Sequence, residues 1–424
     1  MYDLKNMIKG IKNRYYGTSI LGWCFILSLH LILCSCSSVQ KRADASNQTV
    51  NETNNISTNP TLGRTSTIEK NIDKRPNPYL NAPNNLSTPL GTSVESLKAR
   101  WIASTWDELP GWYQESLPQV WAALLMSCDQ PSSWFANLCP LIKPLVIADE
   151  QEQRFFLMSH LQPYKILGQA GESGGLLTGY YEPVFSASRI KKPGFEVPIY
   201  MPTDEILSLK GNHSRWYSRQ EIDKSEAVQK NLIGREIAWL ADPVDLLILQ
   251  IQGSGRINVL EPDGSKKWIK AVYAASNELP YQSVGRYLLD RGEITDASWS
   301  GIKAWINKNP LRVNELMWSN PRYVFFKEEP LKDPSLGPKG AQGIPLTAGR
   351  SVAVDPQNIP YGTPLWLFSD GPTLQLKRLV LAHDTGNAIV GPLRADYFVG
   401  TGTEAGEIAG RLKQNLNMWA LLPR

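Results

Sequence analysis

The chain has 424 residues, enough for two domains with real cores or for one domain carrying a large insertion. Its 44 Lys and Arg exceed its 40 Asp and Glu by only four, and loss of the first 35 residues would leave a balance near +1, so the basic footprint of a nucleic-acid partner is excluded. Four histidines and five cysteines, with no HExxH and no paired Cys/His spacing, offer no metal motif and no call for a cofactor.

At the N-terminus, Lys5, Lys9, Lys12 and Arg14 precede an apolar run from Ile20 to Leu33. This is the pattern of a secretory signal over residues 1–35, too short for a membrane span, although an uncleaved anchor helix is the alternative. The run ends in Leu33-Cys34-Ser35-Cys36, which resembles a bacterial lipoprotein cleavage box with Cys36 as the lipidated new N-terminus; a cut before Cys34 is the other option. Ser37 carries no inner-membrane retention charge, so the expectation is an outer-membrane lipoprotein facing the periplasm. Residues 36–94 are rich in Asn, Ser, Thr and Pro and hold no Trp, so they cannot bury enough surface to offset ordering entropy. Read as a flexible tether, they span roughly 40–45 Å root-mean-square.

Apolar residues then recur at helical spacing: Leu97, Trp101 and Ile102; Leu117, Val120, Trp121, Leu124 and Leu125; Phe155, Phe156, Leu157 and Leu161. In an oxidising compartment Cys128 and Cys139 can pair across the short loop containing Pro131, with two free buried thiols as the alternative. His160 reads as structural. Strand texture starts at Leu176 and is expected to continue through Asp242–Gln252 and across a hairpin at Glu261-Pro262-Asp263-Gly264. Helical patterns return at 284–289 and 302–306, and Tyr323-Val324-Phe325-Phe326 opens another strand.

The chemistry concentrates near the C-terminus. The run Leu379-Val380-Leu381-Ala382 ends in His383-Asp384-Thr385-Gly386, and Asp396 follows beside Tyr397-Phe398. A carboxyl held among apolar neighbours loses hydration, keeps its proton to higher pH and can serve as a general acid; the plainer reading is that these aspartates cap turns. Upstream, Ser351-Val352-Ala353-Val354-Asp355 repeats the pattern of short strand, Asp and tight turn. Asp355, Asp384 and Asp396, with IPYGTP and DTGNAIVGPLRADYF around them, resemble the three-aspartate domain of the membrane-bound lytic murein transglycosylase A family. Further pieces match in order over residues 95–424: Thr178 to Pro183, Pro198 to Tyr200, Ser218 to Ile222, Gln250 to Ile257, Pro280 to Arg286 and Gly340 to Pro364.

The resemblance implies an α+β, mainly β, fold. N-terminal helices (95–182) and a C-terminal part (323–424) would form a double-psi β-barrel, with a second small β-barrel inserted at 183–322. It also implies cleavage of the β-1,4 bond between N-acetylmuramic acid and N-acetylglucosamine, leaving a 1,6-anhydromuramoyl end. Asp396 would be the single acid/base, with Asp384 and Asp355 in support. Tyr181, Glu182, Gln252, Ser254 and Arg256 are candidate groove residues for the glycan strand, Arg256 alternatively pairing with Asp242 or Asp245. Trp366 and Trp239 are candidate sugar platforms, and cell-wall synthesis proteins are candidate partners. Asn387 and Glu278 depart from the family pattern. Two rival functions are an inverting glycoside hydrolase using Asp384 and Asp396, and a catalytically silent glycan-binding lipoprotein.

Overall fold

The computed structural model describes residues 93–96, 99–131, 135–212 and 214–424. The expected signal, almost all of the tether, Cys34, Cys36 and His213 lie outside them. In chain order the strands are β1 (Ser93–Ser96), β2 (Ala99–Ala103), β3 (Leu161–Leu167), β4 (Gly175–Glu182), β5 (Val184–Ser188), β6 (Val197–Tyr200), β7 (Glu236–Leu240), β8 (Ser254–Leu260), β9 (Lys266–Ser276), β10 (Val324–Pro330), β11 (Ser351–Val354), β12 (Pro364–Asp370), β13 (Gln375–Asp384), β14 (Arg394–Thr401) and β15 (Lys413–Pro423).

The last strand organises the first sheet, whose order is β1-β2-β3-β15-β12-β13-β11-β14-β4. Lys413–Leu416 pair with β4, whereas Trp419–Pro423 pair with β3 and the middle of the strand with β12. One strand thus joins both ends of the run β4-β14-β11-β13-β12, closing a six-stranded barrel that leaves no free edge among these strands. Val352, Val354, Leu365, Leu367, Val380, Ala382, Ala395 and Tyr397 fill its interior. Leu379, Leu381, Trp366 and Trp419 point outward into a second core with Trp112, Trp121 and Phe156. Both faces of β13 are therefore buried over Leu379–Ala382, which is why that half of the strand is continuously apolar rather than alternating.

The second sheet, β10-β9-β8-β5-β7-β6, lies between β4 and β11 in sequence, and its outer strands β6 and β10 approach each other to leave a nearly closed small barrel. Ile257, Val259, Ile269, Ala271 and Phe325 fill it. The architecture is the α+β arrangement with an inserted barrel that the resemblance implies. The Glu261–Gly264 turn joins β8 to β9 in antiparallel register, with Gly264 in the left-handed region at φ 84°.

Three local expectations are corrected. Trp101 and Ile102 lie on β2, not a helix: burial alternates along Ala99–Ala103, and the strand pairs with β1 and β3. Leu161 opens β3, the helix ending at His160. Asp242–Gln252 is a helix, Pro243–Gln252, rather than a strand. Asp242 accepts the Val244 N–H at 2.8 Å, Pro243 sits at the first helical position, and Gly253 ends the helix at φ 78°. A short apolar run does not choose between helix and strand by itself; these caps do.

Cys128 and Cys139 form a disulfide with Cα atoms 5.6 Å apart, fastening the helix Pro118–Ser127 to the turn at Cys139–Ile142. This helical layer is locked to the barrel by Arg350 and Glu115, an ion pair buried on both sides. Arg350 also donates to the Leu379 and Ser116 carbonyls, each at 3.1 Å. Replacing Glu115 by Ala strands a buried guanidinium and is expected to lower the unfolding free energy by about 3–5 kcal/mol. A Glu115→Ala/Arg350→Met double variant should regain most of that loss in urea unfolding.

Candidate active site

The three aspartates meet around β11. Ala353 stands opposite Asp384 on the parallel neighbour β13 and opposite Asp396 on the antiparallel neighbour β14, and Asp396 in turn stands opposite Thr178 on β4. Asp384, Ala353, Asp396 and Thr178 thus form one rung across four strands. Two strand spacings separate the carboxylate-bearing backbones by roughly 9–10 Å, and the small side chain of Ala353 leaves the space between them open.

Asp396 is held on one side only. Thr178 donates its hydroxyl to Oδ1 in a close hydrogen bond and accepts from Arg394 Nη2 at 2.7 Å. No hydrogen bond to Oδ2 is made among the described residues. Burial pushes the Asp396 carboxyl up, while the Thr178 bond and the Arg394 charge pull it down; burial wins. Asp384 is more fully engaged: Ala341 N–H donates to Oδ1 and Tyr180 O–H to Oδ2, both at 2.9 Å. Burial raises it to about 6, with a smaller upward push from Asp396 and downward pulls from its hydrogen bonds.

Asp355 is a loop tie. It accepts from Gln357 N at 3.0 Å, Asn358 Nδ2 at 2.9 Å and Gly391 N at 2.8 Å, joining the loop after β11 to the one before β14. His383 points away from Asp384, as strand alternation requires, and is fully buried between the Ser127 and Ser351 hydroxyls at 2.8 Å each. Burial drops its pKa to about 3, so it stays neutral and packs. No group of three or more His, Cys, Asp or Glu able to hold a metal ion occurs among the described residues.

Residues 176–327 match the family model of the MltA specific insert domain, and residues 350–422 match that of the 3D domain. The crystal structure of MltA from Neisseria gonorrhoeae, monoclinic form, is 30% identical with a TM-score of 0.65 and aligns over 80% of this chain and 96% of its own. The chain belongs to the membrane-bound lytic murein transglycosylase A family. The Escherichia coli K12 protein of that name is 35% identical over 257 residues, 58% of this chain; the chain spans 64% of that relative's length. Escherichia coli MltA with bound chitohexaose is 27% identical with a TM-score of 0.59, over 73% of this chain and 90% of its own.

Several pieces shared with the MltA family hold the inserted barrel. Arg219, 1% exposed, donates to Gln250 Oε1 at 2.5 Å and to the Asn320 and Arg322 carbonyls, and Gln250 donates to Val324 O at 3.0 Å. The groove candidates divide. Glu182 is 1% exposed and ion-paired to Arg256 Nε at 2.6 Å, so its carboxylate is closed to a sugar and ties β4 to β8. Arg256 therefore pairs with Glu182 rather than with Asp242 or Asp245, and also donates to the Pro334 and Leu336 carbonyls. Gln252 Oε1 accepts the Tyr181 N–H at 3.1 Å, Ser254 opens β8 half-buried, and Tyr181 lies on the face of β4 away from the aspartates. Trp366 is fully buried and no platform; Trp239 is half-buried with Lys191 over its ring.

Thr178, Tyr180 and Arg394 complete the site and were not singled out by sequence. A signal for them exists: period two along β4 puts 178, 180 and 182 on one face, and along β14 puts Arg394 beside Asp396. Of the departures from the MltA family pattern, Asn387 turns its amide oxygen to the Arg322 guanidinium at 2.5 and 3.2 Å, linking the loop after β13 to the inserted barrel's end. Glu278 takes φ 56°, the non-glycine residue in the left-handed region among the described residues.

Two outcomes follow. Because the folded pKa of Asp384 is raised above its unfolded value, the folded state gains less from this group as pH rises from about 4 through about 6. Asp384→Asn should remove that loss and be more stable than wild type at pH 7.5 by about 2–3 kcal/mol, but not at pH 4, in pH-dependent unfolding. Thr178→Val removes a bond that favours the Asp396 carboxylate, so the alkaline limb of the pH–rate profile should move to higher pH.

Proposed function

We propose that the protein is a peptidoglycan lytic transglycosylase, a carbon–oxygen lyase acting on polysaccharide. It cuts the β-1,4 bond between N-acetylmuramic acid and N-acetylglucosamine without water and leaves a 1,6-anhydromuramoyl end. The observation that carries this reading is Asp396: a carboxyl with a raised pKa, oriented through one oxygen by Thr178, the other taking no bond. Protonated Asp396 donates to the glycosidic oxygen as the C1–O bond breaks. The resulting carboxylate takes the proton of the muramoyl C6 hydroxyl as that oxygen bonds to C1, so Asp396 ends as it began. Asp384 and Asp355 are positioning groups, holding the loops through backbone N–H bonds.

Placement of the reaction in wall turnover, at the periplasmic side of the outer membrane and anchored through Cys36, rests on the N-terminal sequence. The glycan strand as ligand rests on family membership and on the chitohexaose held by the Escherichia coli relative. The raised pKa of Asp384 favours one rival, an inverting hydrolase with two working carboxyls. Against it, both Asp384 oxygens already accept hydrogen bonds.

Mass spectrometry of the soluble products from purified cell wall distinguishes these. Anhydro-ended muropeptides are expected, with release by Asp396→Asn lowered by about 10²–10⁴-fold. Reducing ends would make Asp384 a catalytic partner, and the absence of products from both proteins would leave a binding lipoprotein.

A further inference from the structure

A second cleft, of about 400 Å³, lies behind the site. It is lined by Tyr181, Phe185, Asp245, Trp299, Lys303 and Glu407, with the glycine face of the helix Thr403–Arg411 as one wall. Thr178 and Tyr180 reach the aspartates from one face of β4, whereas Tyr181 packs from the other face onto Gly406, where a Cβ would come within 2.7 Å of its ring. The cleft's Gly402 follows the end of β14, six residues beyond Asp396, roughly 20 Å of extended chain. The cleft and the aspartates thus lie on opposite faces of β4.

Its walls specify chemistry. Tyr181 is 9% exposed and its hydroxyl, aimed into the cleft, takes no hydrogen-bond partner among the described residues. The Thr403–Arg411 helix begins at Gly402 with no side-chain cap, so its first N–H groups are also donors that an acceptor would satisfy. An anion would suit those donors, but Asp245 and Glu407 stand beside them and raise the Tyr181 phenol, after burial, to about 12. A free cation meets Lys303, which already pairs with Asp245 at 3.1 Å. What remains is a neutral ligand with carbonyl acceptors, hydroxyl donors and an apolar face for Trp299 and Phe185. An N-acetylated saccharide has all three, and the volume lies in the range of small-ligand sites.

We propose that this cleft is a second, non-catalytic site for a short N-acetylated glycan segment, which holds the enzyme on the wall while the aspartate face works on another segment. The proposal extends the functional reading above, because it takes its ligand from the same polymer. Its test does not depend on cleavage: the full chain carrying Asp396→Asn is measured for retention on purified insoluble wall and for N,N′-diacetylchitobiose binding by calorimetry. Two saturable sites are expected for chitobiose. Ser300→Trp, at the exposed rim, should abolish one of them and weaken wall retention at least about 10-fold. Tyr181→Phe, which keeps the packed ring and loses only the hydroxyl, should weaken the same site about 3–10-fold and stands in if Ser300→Trp lowers the melting temperature. Loss of the second site by these variants supports the proposal even if wild type cuts no wall. One saturable site, or two that neither variant alters, overturns it even if wild type releases anhydro-muropeptides.

Discussion

Strand β11 is four residues long and fully buried, and the site depends on it because it cannot shift without breaking two ladders at once. A one-residue slip would turn Val352 and Val354 out of the barrel interior and replace Ala353 between the carboxylates by a valine. Ser351 at its start also clamps His383, and Arg350 just before it carries the buried ion pair with the helical layer. The register that places Asp384 and Asp396 on one rung is therefore enforced from the barrel core, the serine–histidine clamp and the Glu115 contact together.

The two carboxyls on that rung have different constraints. Asp384 makes two strong acceptor contacts, one to the segment before β11 and one to β4, which fit a group that keeps a loop in place. Asp396 keeps a single bond, and its hydroxyl donor is itself aligned by Arg394. An acid that must give and then recover a proton needs an unoccupied oxygen and a proton that survives at working pH. Burial raises the Asp396 carboxyl toward the second condition, and the sparse hydrogen bonding meets the first. The lowered pKa of His383 removes the neighbouring imidazole from the proton inventory.

Much of this was legible in the sequence where chemistry and period coincide. Strand–Asp–turn patterns mark Asp355 and Asp384, Asp396 is marked by the aromatic pair beside it, and the roles of all three come from the family resemblance; β4, β9, β10, β11 and β13 follow from apolar runs and turn signals. Asp242–Gln252 was misread because an apolar run buried on nearly all sides carries no period; its helix is declared by Asp242, Pro243 and Gly253 instead. Trp101 was misread because two spaced apolar residues fit either period, and pairing with β3 decided between them. Glu182 and Arg256 look like sugar contacts in a linear reading, since the sequence cannot show that two residues 74 apart neutralise each other in a seam. Tyr181 and Tyr180 were likewise separable only by the side of β4 each occupies.

The central claim is that burial, not repulsion by the Asp384 charge, raises the pKa of the Asp396 carboxyl. Carbon-13 NMR titration of the aspartate carboxyls, in wild type and in Asp384→Asn, tests it directly. The account predicts an Asp396 carboxyl that titrates above the ordinary value of about 3.9 in both proteins. An Asp396 that titrates at or below that value in wild type, or falls to it when Asp384 is replaced, would contradict it.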